Sequence, residues 1–419
     1  MAPSILPTTH LLGLDLTVSV RQPTPLDFPI SAPASPADSQ VSMSTTTTTS
    51  TPATSLYAIR QTPNAGRAVF ATRRIEANTL LSTANDLSIN VLLRDYRKEV
   101  CAQCFFYDRG TTLPLRNSST NLVFCSPSCQ QEWLAQAGDI GVQAWTAAEK
   151  LSKGKSGEQR DGDYDMVDPH LPRPTTQDIA AAWESASSLA TQIRLARAGT
   201  SPKSTRKALA AALREAVVPD VLAFCVSAIL VAYQSPERWR GILDLVPDER
   251  PYHSFVDLAA FTRSYLQLLA VLPDKLLPLT TPETLITASS RDSHNSFGIR
   301  SLEDEGSEFF GYGCWGSASF FNHSCGPNVR KERVGREWRF LVDRMVEEGE
   351  ELCISYLSGE ERTMGSVGRR ERLRGSEDPA SPQYGRPQRA KLSQRRLIRV
   401  TSLGLFPGLE GRKMVPPLE

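Results

Sequence analysis

Four of the chain's eight cysteines fall into two tight pairs, Cys101-Ala-Gln-Cys104 and Cys125-Ser-Pro-Ser-Cys129. Two such pairs, each on its own turn, present the four soft ligands that a tetrahedral zinc ion takes. Cys101, Cys104, Cys125 and Cys129 are therefore the candidate ligands of one structural zinc, and residues 95–145 are expected to fold as a small finger around it. A helical Gln130–Leu134 would cover the metal. The remaining cysteines, Cys225, Cys314, Cys325 and Cys353, are spread through the C-terminal half. Paired thiols point to a reducing compartment, the nucleus or cytoplasm, where they bind metal more often than they oxidise. No basic stretch precedes an apolar segment at the N-terminus, so secretion is not expected. No apolar run reaches the ~20 residues that span a bilayer. The longest, Val217–Tyr233, contains Pro219 and Asp220 and reads as a buried helix, so no membrane partner is expected.

The rest of the chain divides by composition and period. Residues 1–55 are rich in Ser, Thr, Pro and Ala and are expected to be disordered. Residues 56–94 hold short β-like runs, Leu56–Ile59, Ala68–Ala71 and Thr79–Leu81, with a turn at Pro63–Gly66. After the finger, 146–174 reads as a flexible linker, and 175–290 as helical, with apolar residues at helical spacing from Ile179 to Ile193 and again in Val221–Tyr233 and Phe255–Leu272. Residues 291–358 return to strands, and 359–419 form a basic tail without apolar periodicity. The fold expected is α+β, with a β-rich domain split by a small zinc finger and a helical insert and flanked by disordered tails. With 47 Lys and Arg against 46 Asp and Glu, no global field draws the chain to nucleic acid. Only the tail, with Arg386, Arg389, Lys391, Arg395, Arg396 and Arg399, offers a weak, salt-dependent nucleic-acid affinity.

Two motifs carry the chemistry. Phe320-Phe321-Asn322-His323-Ser324-Cys325-Gly326-Pro327-Asn328 resembles the NHSCxPN motif of SET-domain lysine methyltransferases. Gly349-Glu350-Glu351-Leu352-Cys353-Ile354-Ser355-Tyr356 resembles the GEEL-x-I-x-Y strand of the same family. Two further stretches are similar: Asn64–Ala71 to the GxGvfA turn, with Ala68 in place of the second glycine, and Asn295-Ser-Phe-Gly-Ile299 to an N-x-F-x-I strand. Phe124-Cys125-Ser126 with Cys129-Gln130 resembles the middle of a MYND finger. That finger binds two zincs, but here no Cys or His lies between Asp108 and Phe124 or between Gln130 and Trp145, so one zinc is expected. The order of strands, finger, helical insert and strands is that of the SET-and-MYND type.

The resemblance implies an S-adenosylmethionine-dependent protein-lysine N-methyltransferase. Its implied cofactor contacts are Gly66, Arg67, Asn295, Asn322 and His323, and its implied catalytic residue is Tyr356, which orients the amine. The partner is a protein lysine, histone or non-histone, and MYND fingers also imply a peptide partner at the finger. The chemistry expected is an in-line displacement at a sulfonium methyl, with a lysine amine made neutral by desolvation and like charge. The rival reading is a catalytically weak or inactive SET-like scaffold. Ala68 and the reduced finger favour the scaffold; Asn322, His323 and Tyr356 favour the enzyme. The family's post-SET segment joins three cysteines to the Cys of NHSC on a second zinc. Here no cysteine follows Cys353, so Cys325 is expected to be an unligated thiol and 376–419 poorly ordered.

Overall fold

Alternation of apolar and polar residues starts the fold. Strands β1 (Tyr57–Thr62) and β2 (Gly66–Ala71) pair antiparallel, from Tyr57 opposite Ala71 to Thr62 opposite Gly66. Gly66 opens β2 at φ 64°, in the left-handed region that glycine enters without a Cβ penalty. The computed structural model describes residues 56–63, 66–153, 172–199, 202–302, 308–357 and 365. The expected tails, 1–55 and 359–419, lie outside the described residues, Gly365 apart.

Next come β3 (Leu80–Ala84), β4 (Leu87–Leu92), and the finger strands β5 (Leu115–Arg116) and β6 (Val123–Phe124). Helix α1 (Pro127–Lys153) follows the finger, kinked where Gly138 sits at φ 58°. It continues into the stretch expected to be linker; Lys150 and Lys153 in its last turn complement the negative end of the helix dipole. The helical insert comprises α2 (Thr176–Arg197), α3 (Lys203–Arg214), α4 (Pro219–Gln234), α5 (Pro236–Leu243), α6 (Phe255–Val271) and α7 (Pro282–Asn295). Starts are written in the sequence: Thr175 and Asp178 form a reciprocal capping box on α2, and proline opens α4, α5 and α7. The chain then returns to strands, β7 (Ser296–Arg300), β8 (Phe309–Trp315), β9 (Asn322–His323), β10 (Val329–Val334), β11 (Glu337–Val342) and β12 (Cys353–Ile354). The architecture is the expected α+β, with the cysteine finger inserted between strands.

Helix α4 is the centre of the insert. Every residue from Val221 to Leu230 is buried, as a helix apolar on all sides must be. It packs on β4 and α6. Among the described residues no single helix is long and apolar enough to cross a membrane. Trp183, Tyr252 and Ser289 close the insert with a buried chain of hydrogen bonds, Trp183 Nε1 to Tyr252 Oη at 3.0 Å and Tyr252 Oη to Ser289 Oγ at 3.1 Å. The strands form several small sheets. Strand β8 lies between β4 and β7, and β11 between β10 and β3. N- and C-terminal strands are thus interleaved, which places the helices and finger outside one split β-domain.

Candidate functional site

Three distant segments meet at one place. Strands β9 and β12 pair in parallel, Asn322 opposite Cys353 and His323 opposite Ile354. Strand β2 is laced to the turn before β12: Ala71 N–H donates to Glu350 O at 2.9 Å, Gly349 N–H to Ala71 O at 2.9 Å, and Leu352 N–H to Val69 O at 2.8 Å. Gly349 makes that turn at φ 80°. Side chains of the first motif lock it to the second. Asn328 donates to Glu351 O at 2.8 Å and Glu350 Oε1 at 3.1 Å, and its Oδ1 accepts the Cys353 N–H at 2.8 Å. Asn322 Nδ2 donates to Glu351 Oε1 at 2.9 Å. Hydrogen bonding from Arg344 holds the Glu350 carboxyl below its ordinary value, which keeps an ionised acceptor facing Asn328.

A cleft opens beside this junction. Gly66, Arg67, Asn295, Asn322 and Tyr356 line it together with Phe320, and it holds about 610 Å³ of space including its mouth to solvent. Five of the six residues expected to act on cofactor or amine therefore share one wall, although the first and last are nearly 300 positions apart. A Cβ on Gly66 would meet no atom within 4 Å, so the backbone there faces open space. Ala68, by contrast, is fully buried and is not part of the wall. The Arg67 guanidinium lies 4.6 Å from the centre of the Phe320 ring and donates to the Asp244 carbonyl. Asn295 Nδ2 is committed to Val246 O at 3.1 Å and Arg291 O at 2.7 Å, so this amide fastens the Leu245–Val246 side of the wall.

His323 stands behind Tyr356, outside the wall. Its Nδ1 accepts the Tyr356 N–H at 3.0 Å, and the two rings are 5.4 Å apart. An Nδ1 that accepts leaves the proton of the neutral ring on Nε2. Nε2 is 3.4 Å from Cys325 Sγ, on an exposed thiol. Burial, then the charge of Lys331, lowers the His323 pKa from 6.5, in keeping with a neutral ring. Tyr356 Oη donates to Phe321 O at 2.7 Å. Phe321 is itself fixed by stacking on Phe340 at 4.5 Å. Phe320 belongs to the first motif and Ser319 stands just before it; His294, beside Asn295, and Leu245 and Val246, which carry no motif, are not anticipated.

The four finger sulfurs lie within 4.8 Å of one another, with Cys104–Cys125 at 3.5 Å and Cys125–Cys129 at 3.6 Å. A tetrahedron with ~2.3 Å zinc–sulfur bonds has edges of about 3.8 Å, so the donor set fits zinc. Local geometry explains the convergence. Phe105 adopts φ 63° and donates to Cys101 O, closing the first turn, while Cys129 lies in the first turn of α1 with its N–H on Ser126 Oγ. A hydrogen bond from Cys104 lowers the Cys101 thiol, and burial raises that of Cys125. The finger docks on the C-terminal strands: Arg336, in the β10–β11 turn, donates to Ala102 O and Gln103 O and packs its guanidinium 5.2 Å from the Phe105 ring centre.

Comparison with known proteins gives three similarities. The SET-domain family model matches residues 66–357. A Saccharomyces cerevisiae protein described as potential protein lysine methyltransferase SET6 is 23% identical over 335 residues, covering 72% of this chain and 87% of the yeast protein. The Arabidopsis thaliana histone-lysine N-methyltransferase ASHR2 is 30% identical over 148 residues, covering 32% of this chain and 37% of the plant protein.

Proposed function

The chain belongs to the SET-domain family, and on that premise we propose that it is an active enzyme of the SET-and-MYND type, transferring a methyl group from S-adenosylmethionine to a protein lysine through the cleft at Tyr356. The observation that carries the reading is the meeting of β2, Asn322–Asn328 and Gly349–Tyr356 around one cleft. SET-domain enzymes are protein-lysine methyltransferases that use S-adenosylmethionine. When bound, that cofactor supplies an electrophilic methyl group on a sulfonium. The Gly66 backbone, the Asn322 amide and the Asn295 Oδ1 would hold it, with Arg67 as the cation for its carboxylate. The fit rests on open space at Gly66, a guanidinium beside an aromatic face, and two buried amides.

The residues at the floor of the cleft handle the amine. Because Tyr356 gives its proton to Phe321 O, its oxygen turns lone pairs to the reaction space and accepts from an incoming amine. The proton is thus already engaged, so Tyr356 orients and does not act as a base. The lysine ammonium loses its proton to water on entering an apolar channel, where burial disfavours the charged form. Phe320, Leu245 and Val246 give the cleft an apolar side from which an entering lysine stem displaces water. His323 is a positioning residue, holding the Tyr356 backbone. The finger, with one zinc on Cys101, Cys104, Cys125 and Cys129, is structural in this reading. The divisions at 56–94, 95–145 and 291–358 then become two halves of one catalytic domain flanking a metal-bound brace. The eight thiols fit a reducing nuclear or cytoplasmic setting.

The test is transfer of a tritiated methyl group to core histones and to lysate proteins. The plant relative's name makes histones the first substrates to try. Wild type should label a lysine-containing protein. Tyr356→Phe should lower the rate by about 10–1000-fold with little change in cofactor affinity, the mark of an interaction made in the transition state. Cofactor binding without any transfer by wild type would favour the scaffold reading. Equal rates for wild type and Tyr356→Phe would remove Tyr356 from the mechanism.

A further inference from the structure

A second cleft lies between the finger and the helical insert, and it shares no lining residue with the first. Its walls come from β4, from α1, from α4 and α5, and from the β10–β11 turn, and it encloses about 860 Å³ including its mouth. Arg97, Arg238 and Arg336 line it, and no Asp or Glu does. Arg97 is already neutralised by Asp220 at 3.0 Å. Arg238 and Arg336 have no carboxylate within ion-pair distance among the described residues. Burial, and then the like charge of Arg238, holds Arg336 down at about 10, while the nearby Cys101 and Cys104 sulfurs act the other way. Two guanidinium groups lining a recess that no carboxylate lines leave room for an anion, Arg238 on its exposed side and Arg336 against the finger.

We propose that this cleft is a docking site for an acidic protein segment, a peptide stretch bearing Asp or Glu side chains that pair with Arg238 and Arg336. Guanidinium forks bind carboxylates in a bidentate manner. Gln136, exposed beside them, offers both an amide donor and an acceptor to a peptide backbone. The half-buried Trp145 gives an apolar wall. Nucleic acid fits less well. Two cations in one recess do not make the basic track that follows a phosphate backbone, and Trp133, only 9% exposed, has little ring face left for a base. One part of Arg336 is fixed by the finger carbonyls of Ala102 and Gln103. The site is thus assembled by the docked finger. Use of this site to hold a protein while its lysine enters the other cleft rests on the methyltransferase reading; the binding itself does not.

Fluorescence anisotropy on the full chain, with zinc retained, decides the matter. Three labelled probes are needed: a short glutamate–glycine peptide, a lysine–glycine peptide of equal length, and an oligothymidylate of equal charge. The acidic peptide should bind, the lysine peptide should not, and the oligothymidylate should bind more weakly. Arg238→Glu should weaken the acidic peptide by about tenfold or more. Arg240→Glu, on the same helix but off the cleft, should leave it unchanged. Cofactor binding by calorimetry should be equal in all three proteins, which separates this test from the catalytic reading. Absence of acidic-peptide binding, equal losses in Arg238→Glu and Arg240→Glu, or preference for the oligothymidylate would each overturn the proposal. Arg336→Gln provides a second variant, and its retention of full affinity would also count against the site.

Discussion

At the scale of single residues, the asparagines of the two motifs work by what they fasten. Asn328 satisfies three backbone and carboxylate groups around the turn at Glu350 and Glu351. Such a residue is legible in sequence only as part of a motif, because its partners lie more than twenty positions away. Asn322 was legible in the same manner. The place of His323 was not: an imidazole beside an Asn reads equally well as a ligand contact or as a turn. What decides is that Tyr356 N–H reaches Nδ1 from a strand paired in parallel. This contact has a pH signature. The folded-state pKa of His323 lies below 6.5, so the folded protein binds fewer protons than the unfolded chain as pH falls below that value. The stability it contributes is fully present above about pH 6.5 and is lost as pH falls toward the depressed folded value. Titration of the His323 Cε1–H signal by NMR should give a midpoint below 6.5; a midpoint at or above it would show the ring is charged or exposed.

Among elements, the sequence was clear where periodicity was strong and silent where neighbours decided. Helices α2, α4 and α6 follow from apolar spacing, and the starts of α2 and α4 are marked by Thr175 and Pro219. Strand β4 was not singled out. Both its faces are covered, so Leu87–Leu92 lacks clean alternation. Strand β10, Val-Arg-Lys-Glu-Arg-Val, is masked by its charges, yet it pairs with β11 along its whole length. The finger was the most legible element, because metal-ligand spacing needs no tertiary information. It should hold one zinc per chain by atomic emission. Chelation, or Cys125→Ser, should release amide protection at 101–124 and at the start of α1 by hydrogen exchange, since metal binding and local folding are coupled. Loss of protection should also reach the β10–β11 turn, which Arg336 ties to Ala102 and Gln103. Finger protection unchanged by chelation would refute a structural metal.

For the whole molecule, the reactive cleft is a long-range construction. Gly66 and Tyr356 face one space only after the finger and the insert have been set aside between them. The helices, built from local contacts, form first in such a chain, and non-local strand pairs form late. In refolding from denaturant, the helical circular-dichroism signal should therefore recover before the ability to bind S-adenosylmethionine, measured by stopped-flow fluorescence. Simultaneous recovery of the two would show that the β-domain closes without waiting for its parts.

The lacing of β2 to Gly349–Leu352 carries a consequence for the chain as it is made. One edge of β2 is covered at once by β1, its neighbour in sequence. The other edge has its partner about 280 positions downstream. At ribosomal speeds of ~5–20 residues per second, that partner arrives roughly 15–60 s later. Throughout that interval a nascent chain displays an unpaired strand edge, the kind of surface that recruits other strands. Slow codons between the finger and β12 would lengthen that exposure, and fast ones would shorten it, without altering a single residue of the finished protein.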